Sequence, residues 1–135
     1  MTRTVLIGDG GPQTECATQA LADTPEIAVI ARLGVGRPFA ARLARLAPDL
    51  TVIQEPATTP LPTAVIREAR AAVPAGVLIV RAADATPTWV TDAINGGATA
   101  VLPSTVDAAS LGRVVLHIVT EHDAAFEALR LRWAA

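Results

Sequence analysis

The chain has no lysine: all 11 of its basic residues are arginine. Whatever produced that composition, which is also rich in Ala, Gly, Pro and Val, no role that requires an ε-ammonium can be filled here. Cysteine is nearly absent too. Cys16 stands alone, so it forms no internal disulfide, and no Cys or His cluster has the spacing of a zinc site. It reads as a small packed residue of the first helix rather than a reactive thiol. A formal charge of −2 and a pI near 5.6 supply no field for gripping a phosphate backbone, so any nucleic-acid contact calls for another module. No charged N-terminal region leads into an apolar stretch with a cleavage site, and no run approaches membrane-spanning length. No membrane partner is therefore expected, and the cytoplasm is the expected location. Low-complexity tracts, Gly/Ser linkers and internal repeats are missing as well. What is present is 51% apolar content over 135 residues, the profile of one globular domain with a sizeable core.

The apolar residues fall into five short runs separated by helical stretches. Strands are expected over Thr4–Gly8, Glu26–Leu33, Leu50–Gln54, Val77–Val80 and Thr99–Leu102. Between them, helices are expected over Pro12–Ala22, with Cys16, Ala20 and Leu21 sharing a face, and over Pro38–Leu46, with Phe39, Leu43 and Leu46 inward and Arg37, Arg42 and Arg45 outside. Further helices follow at Thr63–Val73 and Pro87–Asn95, the latter closed by Gly96-Gly97, and a last one starts near Ala108 behind Thr105 or Asp107 as cap. Pro56, Pro60 and Pro62 keep the segment after the third strand irregular. Buried strands alternating with helices imply a flavodoxin-like, doubly wound α/β fold with a five-stranded parallel sheet in the order 2-1-3-4-5. In such sheets ligands bind at the carboxyl ends of the strands, and the crevice between strands 1 and 3 would hold Asp9, Gln54 and Glu55.

Three segments carry a resemblance. Val5-Leu6-Ile7-Gly8-Asp9-Gly10-Gly11-Pro12, Pro48-Asp49-Leu50-Thr51-Val52-Ile53-Gln54 and Gly97-Ala98-Thr99-Ala100-Val101-Leu102-Pro103-Ser104 resemble, in order and spacing, segments of the receiver domain of bacterial response regulators. The resemblance spans Thr4 to Val119 and is closest in style to the subfamily that carries a C-terminal helix-turn-helix. It implies phosphoryl transfer to a carboxylate at the end of strand 3. Mg²⁺ would be held there with acids from the end of strand 1, and a hydroxyl after strand 4 and a lysine after strand 5 would complete the charge stabilisation.

Carried over position by position, most of that machinery is missing. Asp9 matches one acid of the strand 1 pair, but Gly10 replaces the other. Gln54 stands at the acceptor position, and a neutral amide is neither a useful nucleophile for phosphorus nor a good Mg²⁺ ligand. Arg81 or Ala82 stands where the hydroxyl is expected, Ser104 replaces the lysine, and Val101 the switch aromatic. Together the losses argue against phosphorylation and against Mg²⁺ or any other cofactor, with Glu55 as the remaining candidate acceptor.

The same crevice admits other readings. Arg81 can pair with Asp9 or Glu55 as a salt bridge in place of a metal, or a small molecule can occupy a pocket near Asp9, Gln54, Arg81 and Ser104. Gly8-x-Gly10-Gly11 can cradle a nucleotide phosphate, but Gln13 takes the place of the third glycine and Arg32-Leu33 supply no acid after strand 2. A catalytic grouping of Ser104, His117 and Asp9 is disfavoured because His117 lies within the last helix. His122 sits in a solvated stretch with Glu121 and Asp123, and Trp89 and Trp133 are candidate contact residues.

From Ala108 a helical stripe of Leu111, Val115, Ile118, Val119, Ala125, Phe126, Leu129 and Trp133 outruns what a receiver needs. Residues 1–120 are therefore read as a receiver-like domain and 121–135 as a helical extension or a linker to an effector domain. The expected function is a non-enzymatic, phosphorylation-independent dimerisation and regulatory module of a transcription regulator. It would form a homodimer and reach DNA only through a C-terminal domain outside this chain. A domain that senses a metabolite in the former phosphorylation crevice is the alternative.

Overall fold

The structure is a computed structural model that describes residues 1–35, 38–56, 59–83 and 86–134, with the side chains of 126 and 129–134 outside the description. Ten elements alternate without interruption: β1 (Thr2–Gly8), α1 (Pro12–Ala22), β2 (Ile27–Gly34), α2 (Ala40–Leu46), β3 (Leu50–Gln54), α3 (Thr63–Ala72), β4 (Val77–Ala82), α4 (Pro87–Asn95), β5 (Ala100–Pro103) and α5 (Ala108–Ala134). All strand pairs are parallel and the order is β2-β1-β3-β4-β5, as the sequence predicts. Only element ends move. β1 starts two residues early, β4 runs on through Arg81 and Ala82, and α2 begins at Ala40 rather than Pro38.

Side-chain alternation along the strands divides the core in two. Val5, Ile7, Ile53, Leu78 and Val80 point to the face covered by α2, α3 and α4, where Leu43, Ile66, Ala69 and Ala93 meet them. Leu6, Val52 and Ile79 point to the opposite face, against Ala17 and Leu21 of α1 and Leu111, Val115 and Val119 of α5. The same parity continues past the apolar residues. Gln54 follows Val52, and Arg81 follows Ile79, so both belong to the α1/α5 face.

Local chemistry ends the helices where turn residues stand. Ala47 turns left-handed (φ 45°) after α2, and its carbonyl accepts from Arg3 Nη1 at 2.9 Å. Gly97 (φ 118°) follows α4, and its carbonyl accepts from Arg70 Nε at 2.8 Å. Arg70 also donates to the carbonyls of Val73, Pro74 and Gly76, tying the end of α3 to β4. Its partial burial lowers the guanidinium from its ordinary pKa. The cap of α5 is Asp107, whose Oδ1 accepts from the Ser110 amide at 2.8 Å. Gly112 brings α5 against the end of α1: a Cβ there would stand 1.9 Å from Thr24 Oγ1.

One packing expectation is corrected. Cys16 is exposed, not packed. The inner face of α1 is Thr14, Ala17, Ala20 and Leu21, because Thr14 can be buried at 2% exposure once its hydroxyl donates to Asp9. Among the described residues Val119 is the last buried one of α5, and Ala125 is exposed. The expected contacts of Phe126, Leu129 and Trp133 lie outside the described residues, as does Arg37.

Candidate functional site

The residues singled out at the strand ends do not converge on one crevice. The structure sorts them into three places, and strand parity is the reason for most of the sorting.

Gln54 and Arg81 are register partners at the ends of β3 and β4. Gln54 is fully buried and Arg81 is 6% exposed. Arg81 Nη1 donates to Gln54 Oε1 at 2.9 Å, and Nη2 donates to the carbonyls of Ser104 at 3.2 Å and Val106 at 3.1 Å. The amide orientation follows from these partners: Oε1 must face the guanidinium, which only donates, leaving Nε2 to donate to Gln13 Oε1 at 3.4 Å and the Glu55 carbonyl at 3.3 Å. Burial lowers the Arg81 guanidinium from its ordinary pKa, with the nearby Cys16 acting in the opposite direction. Arg81 Nε and Ser104 Oγ are both buried without a hydrogen-bond partner. A cavity of about 310 Å³ opens above this group, walled by the start of α1, the β5–α5 turn and the first turns of α5.

Asp9 and Gly10 lie elsewhere. They line a depression between the ends of β1 and β2 together with Arg32 and Gly34. Asp9 Oδ1 accepts from the Gly11 amide at 2.9 Å and from Thr14 Oγ at 3.0 Å. Both partners lie at the entry to α1, so the carboxylate braces the turn that leads into the helix without capping its first-turn amides. Gly10 holds φ 79°, a conformation that disfavours any side chain at the second acidic position.

Glu55 has the opposite strand parity from Gln54 and turns toward the α3/α4 face. Its Oε1 accepts from the Ala83 amide at 3.0 Å and its Oε2 from the Leu61 amide at 3.3 Å, so the carboxylate joins two loops. The expected ion pair of Arg81 with Asp9 or Glu55 is therefore not formed. Both carboxylates have backbone amides as partners, and the guanidinium reaches inward to Gln54 instead. His117 is exposed on α5, 3.8 Å from Glu121, away from these groups. Arg32 pairs with Glu15 across β2 and α1. No group of three or more His, Cys, Asp or Glu residues is placed to share a metal among the described residues, and no described helix is long and apolar enough to cross a membrane.

No protein-family model matches the chain, and no curated protein does. Solved structures match it in shape. The signal receiver domain of the response regulator NarL from Mycobacterium tuberculosis superposes with a TM-score of 0.73 at 19% identity, covering 88% of this chain and 96% of that one. A CheY-like receiver domain protein from Methanospirillum hungatei JF-1 gives 0.75 at 17% identity, with 93% and 98% covered. The chain has the receiver-domain fold. A LuxR-family two-component response regulator from Aurantimonas sp. SI85-9A1 matches as well, with a TM-score of 0.71 at 20% identity over 90% of this chain and 86% of that one. At these identities the likeness is one of fold, and the chemistry rests on the residues. In this receiver fold the end of β3 carries an amide bonded to a buried arginine.

Sequence reading missed the partners of this group: Gln13, Val106 and the roof supplied by Leu111. A signal for the central pair was available. Gln54 lies two residues beyond Val52, and Arg81 two beyond Ile79, at matching distances past paired strands.

Proposed function

We propose that this chain is a receiver domain that works without aspartyl phosphorylation, as a dimerising regulatory module of a transcription regulator whose DNA-binding part lies in another domain. The observation that carries the reading is the Arg81–Gln54 bond at 2.9 Å. Where the resemblance calls for a nucleophilic carboxylate beside Mg²⁺, a neutral amide accepts from a cation that belongs to the chain. The donor set does not suit a hard divalent ion, which takes oxygen ligands. Gln54 Oε1 is engaged by the guanidinium, Gly10 has no side chain, and Asp9 Oδ1 is held by Gly11 and Thr14. Glu55, the remaining candidate acceptor, uses both oxygens for backbone amides. The likeness to a LuxR-family regulator supports the transcriptional role, and the 27-residue α5, continuing past Val119, its last buried residue among those described, supports dimerisation.

Incubation with acetyl phosphate and Mg²⁺ followed by intact-mass measurement tests the reading. The expected spectrum shows no phosphoryl adduct, and a stoichiometric adduct would refute it.

A further inference from the structure

The cavity between α1 and the β5–α5 turn is not absorbed by a receiver that has lost its phosphorylation chemistry. Its volume of about 310 Å³ is at the small end of ligand sites, which run from about 300 to 1,000 Å³. Much of the wall is apolar, contributed by Pro12, Ala17, Val106 and Leu111, and the floor is Gln54 and Arg81.

Three observations give the cavity a sign. Arg81 is a permanent cation held at 6% exposure, and one of its donors, Nε, has no partner. Ser104 Oγ, equally closed off, has none either. Both long helices begin at the cavity, α1 at Pro12 and α5 at Ala108, so the positive ends of two helix dipoles converge on it. Asp107 is the one carboxylate in the lining, and its Oδ1 already accepts from the Ser110 amide.

We propose that this cavity binds a small organic monoanion, a carboxylate whose head is received by Arg81 and Ser104 and whose apolar body lies against Ala17, Val106 and Leu111. Arg81 is the one cation in the lining and Asp107 caps α5, so the site can balance one anionic charge at most. A dianion such as a phosphate would bring a second charge among apolar walls that cannot solvate it. Ser104 Oγ is closed off at rest, and a rotation of its side chain into the cavity would let it donate to a compact carboxylate lying over the guanidinium, which would exclude water from the remaining surface. The ligand would touch α1 and α5 together, so it favours whichever arrangement of these helices fits it better. This regulatory meaning rests on the proposed function; the binding itself does not.

The test uses the full chain, with benzoate and hexanoate as probes, benzamide and hexanamide as uncharged counterparts, and inorganic phosphate as the bare anion. Cys16 is the single thiol, exposed at the cavity rim, and its alkylation by N-ethylmaleimide reports occupancy. The carboxylates are expected to slow alkylation by a factor of 1 + [L]/Kd, about tenfold at about nine times Kd, while the amides and phosphate leave it unchanged. Cys16→Trp changes an exposed wall position, so the core is untouched. It is expected to fill the cavity and abolish the benzoate-induced shifts of the Ser104 and Ala108 amides in NMR spectra. Equal protection by acids and amides, protection by phosphate, no protection at all, or benzoate shifts that survive Cys16→Trp would each overturn the proposal. The acetyl phosphate experiment bears on the proposed function alone, so a failure of one is separable from a failure of the other.

Discussion

The Arg81–Gln54 pair makes a quantitative prediction because its two side chains depend on each other for satisfaction. Arg81→Met removes three hydrogen bonds, at 2.9, 3.2 and 3.1 Å, and leaves the fully buried Gln54 Oε1 without a partner. An unsatisfied buried acceptor costs about 1–3 kcal/mol, and the two part-buried carbonyls add to it. Against this stands the relief of no longer burying a charge, so a net loss of about 3 kcal/mol is expected. Gln54→Leu takes away one partner of a buried guanidinium whose Nε is already unpaired, for about 2 kcal/mol. In the double variant the acceptor and its donor disappear together. The cost of the orphaned Oε1 is gone, and the total should stay near about 3 kcal/mol, a coupling of about 2 kcal/mol. Urea unfolding of the four proteins at constant m-value measures the cycle. Single losses that add to within about 0.5 kcal/mol would show that the side chains do not act as a unit, and the account of the site would fail.

Two further outcomes test the packing and the assembly. Gly112→Ala should destabilise the fold by about 1–3 kcal/mol despite the roughly 1 kcal/mol helix preference for alanine, because the added Cβ would lie 1.9 Å from Thr24 Oγ1. Adding Thr24→Ala removes that oxygen and should recover most of the loss; a thermal melt in which Gly112→Ala alone is neutral or stabilising would contradict the close approach. Light scattering is expected to find a dimer for the whole chain and a monomer for a version ending at Val119, the last buried residue of α5 among those described. A monomer in both cases would remove the dimerising role of α5.

Much of the fold could be read from the chain because its three central strands are buried on both faces and all five appear as apolar runs between Gly, Pro and Asp punctuation. Leu50–Gln54 and Pro12–Ala22 fall where that punctuation places them. On α1 the expected inward residues Ala20 and Leu21 are buried and only Cys16 departs, because burial follows satisfaction as well as hydropathy. Thr14 goes inside once Asp9 accepts its hydroxyl, and Cys16 is rotated out to the cavity rim. The candidate residues themselves were recognisable at the strand ends, but their grouping was not. Which partner a charged side chain finds depends on parity, register and turn geometry at once. Parity sends Gln54 and Arg81 to one face and Glu55 to the other, and the αL turn at Gly10 directs Asp9 onto α1. The Ser104 and Val106 carbonyls that complete the Arg81 site are backbone atoms, which no side-chain pattern reveals.

Arg81 also changes what kind of ion the strand ends contain. A metal is a visitor whose occupancy tracks its free concentration, whereas a guanidinium tethered through β4 has no dissociation constant and stays charged near neutral pH. The charge at this position is inherited with the backbone. Changes in cellular magnesium cannot titrate it.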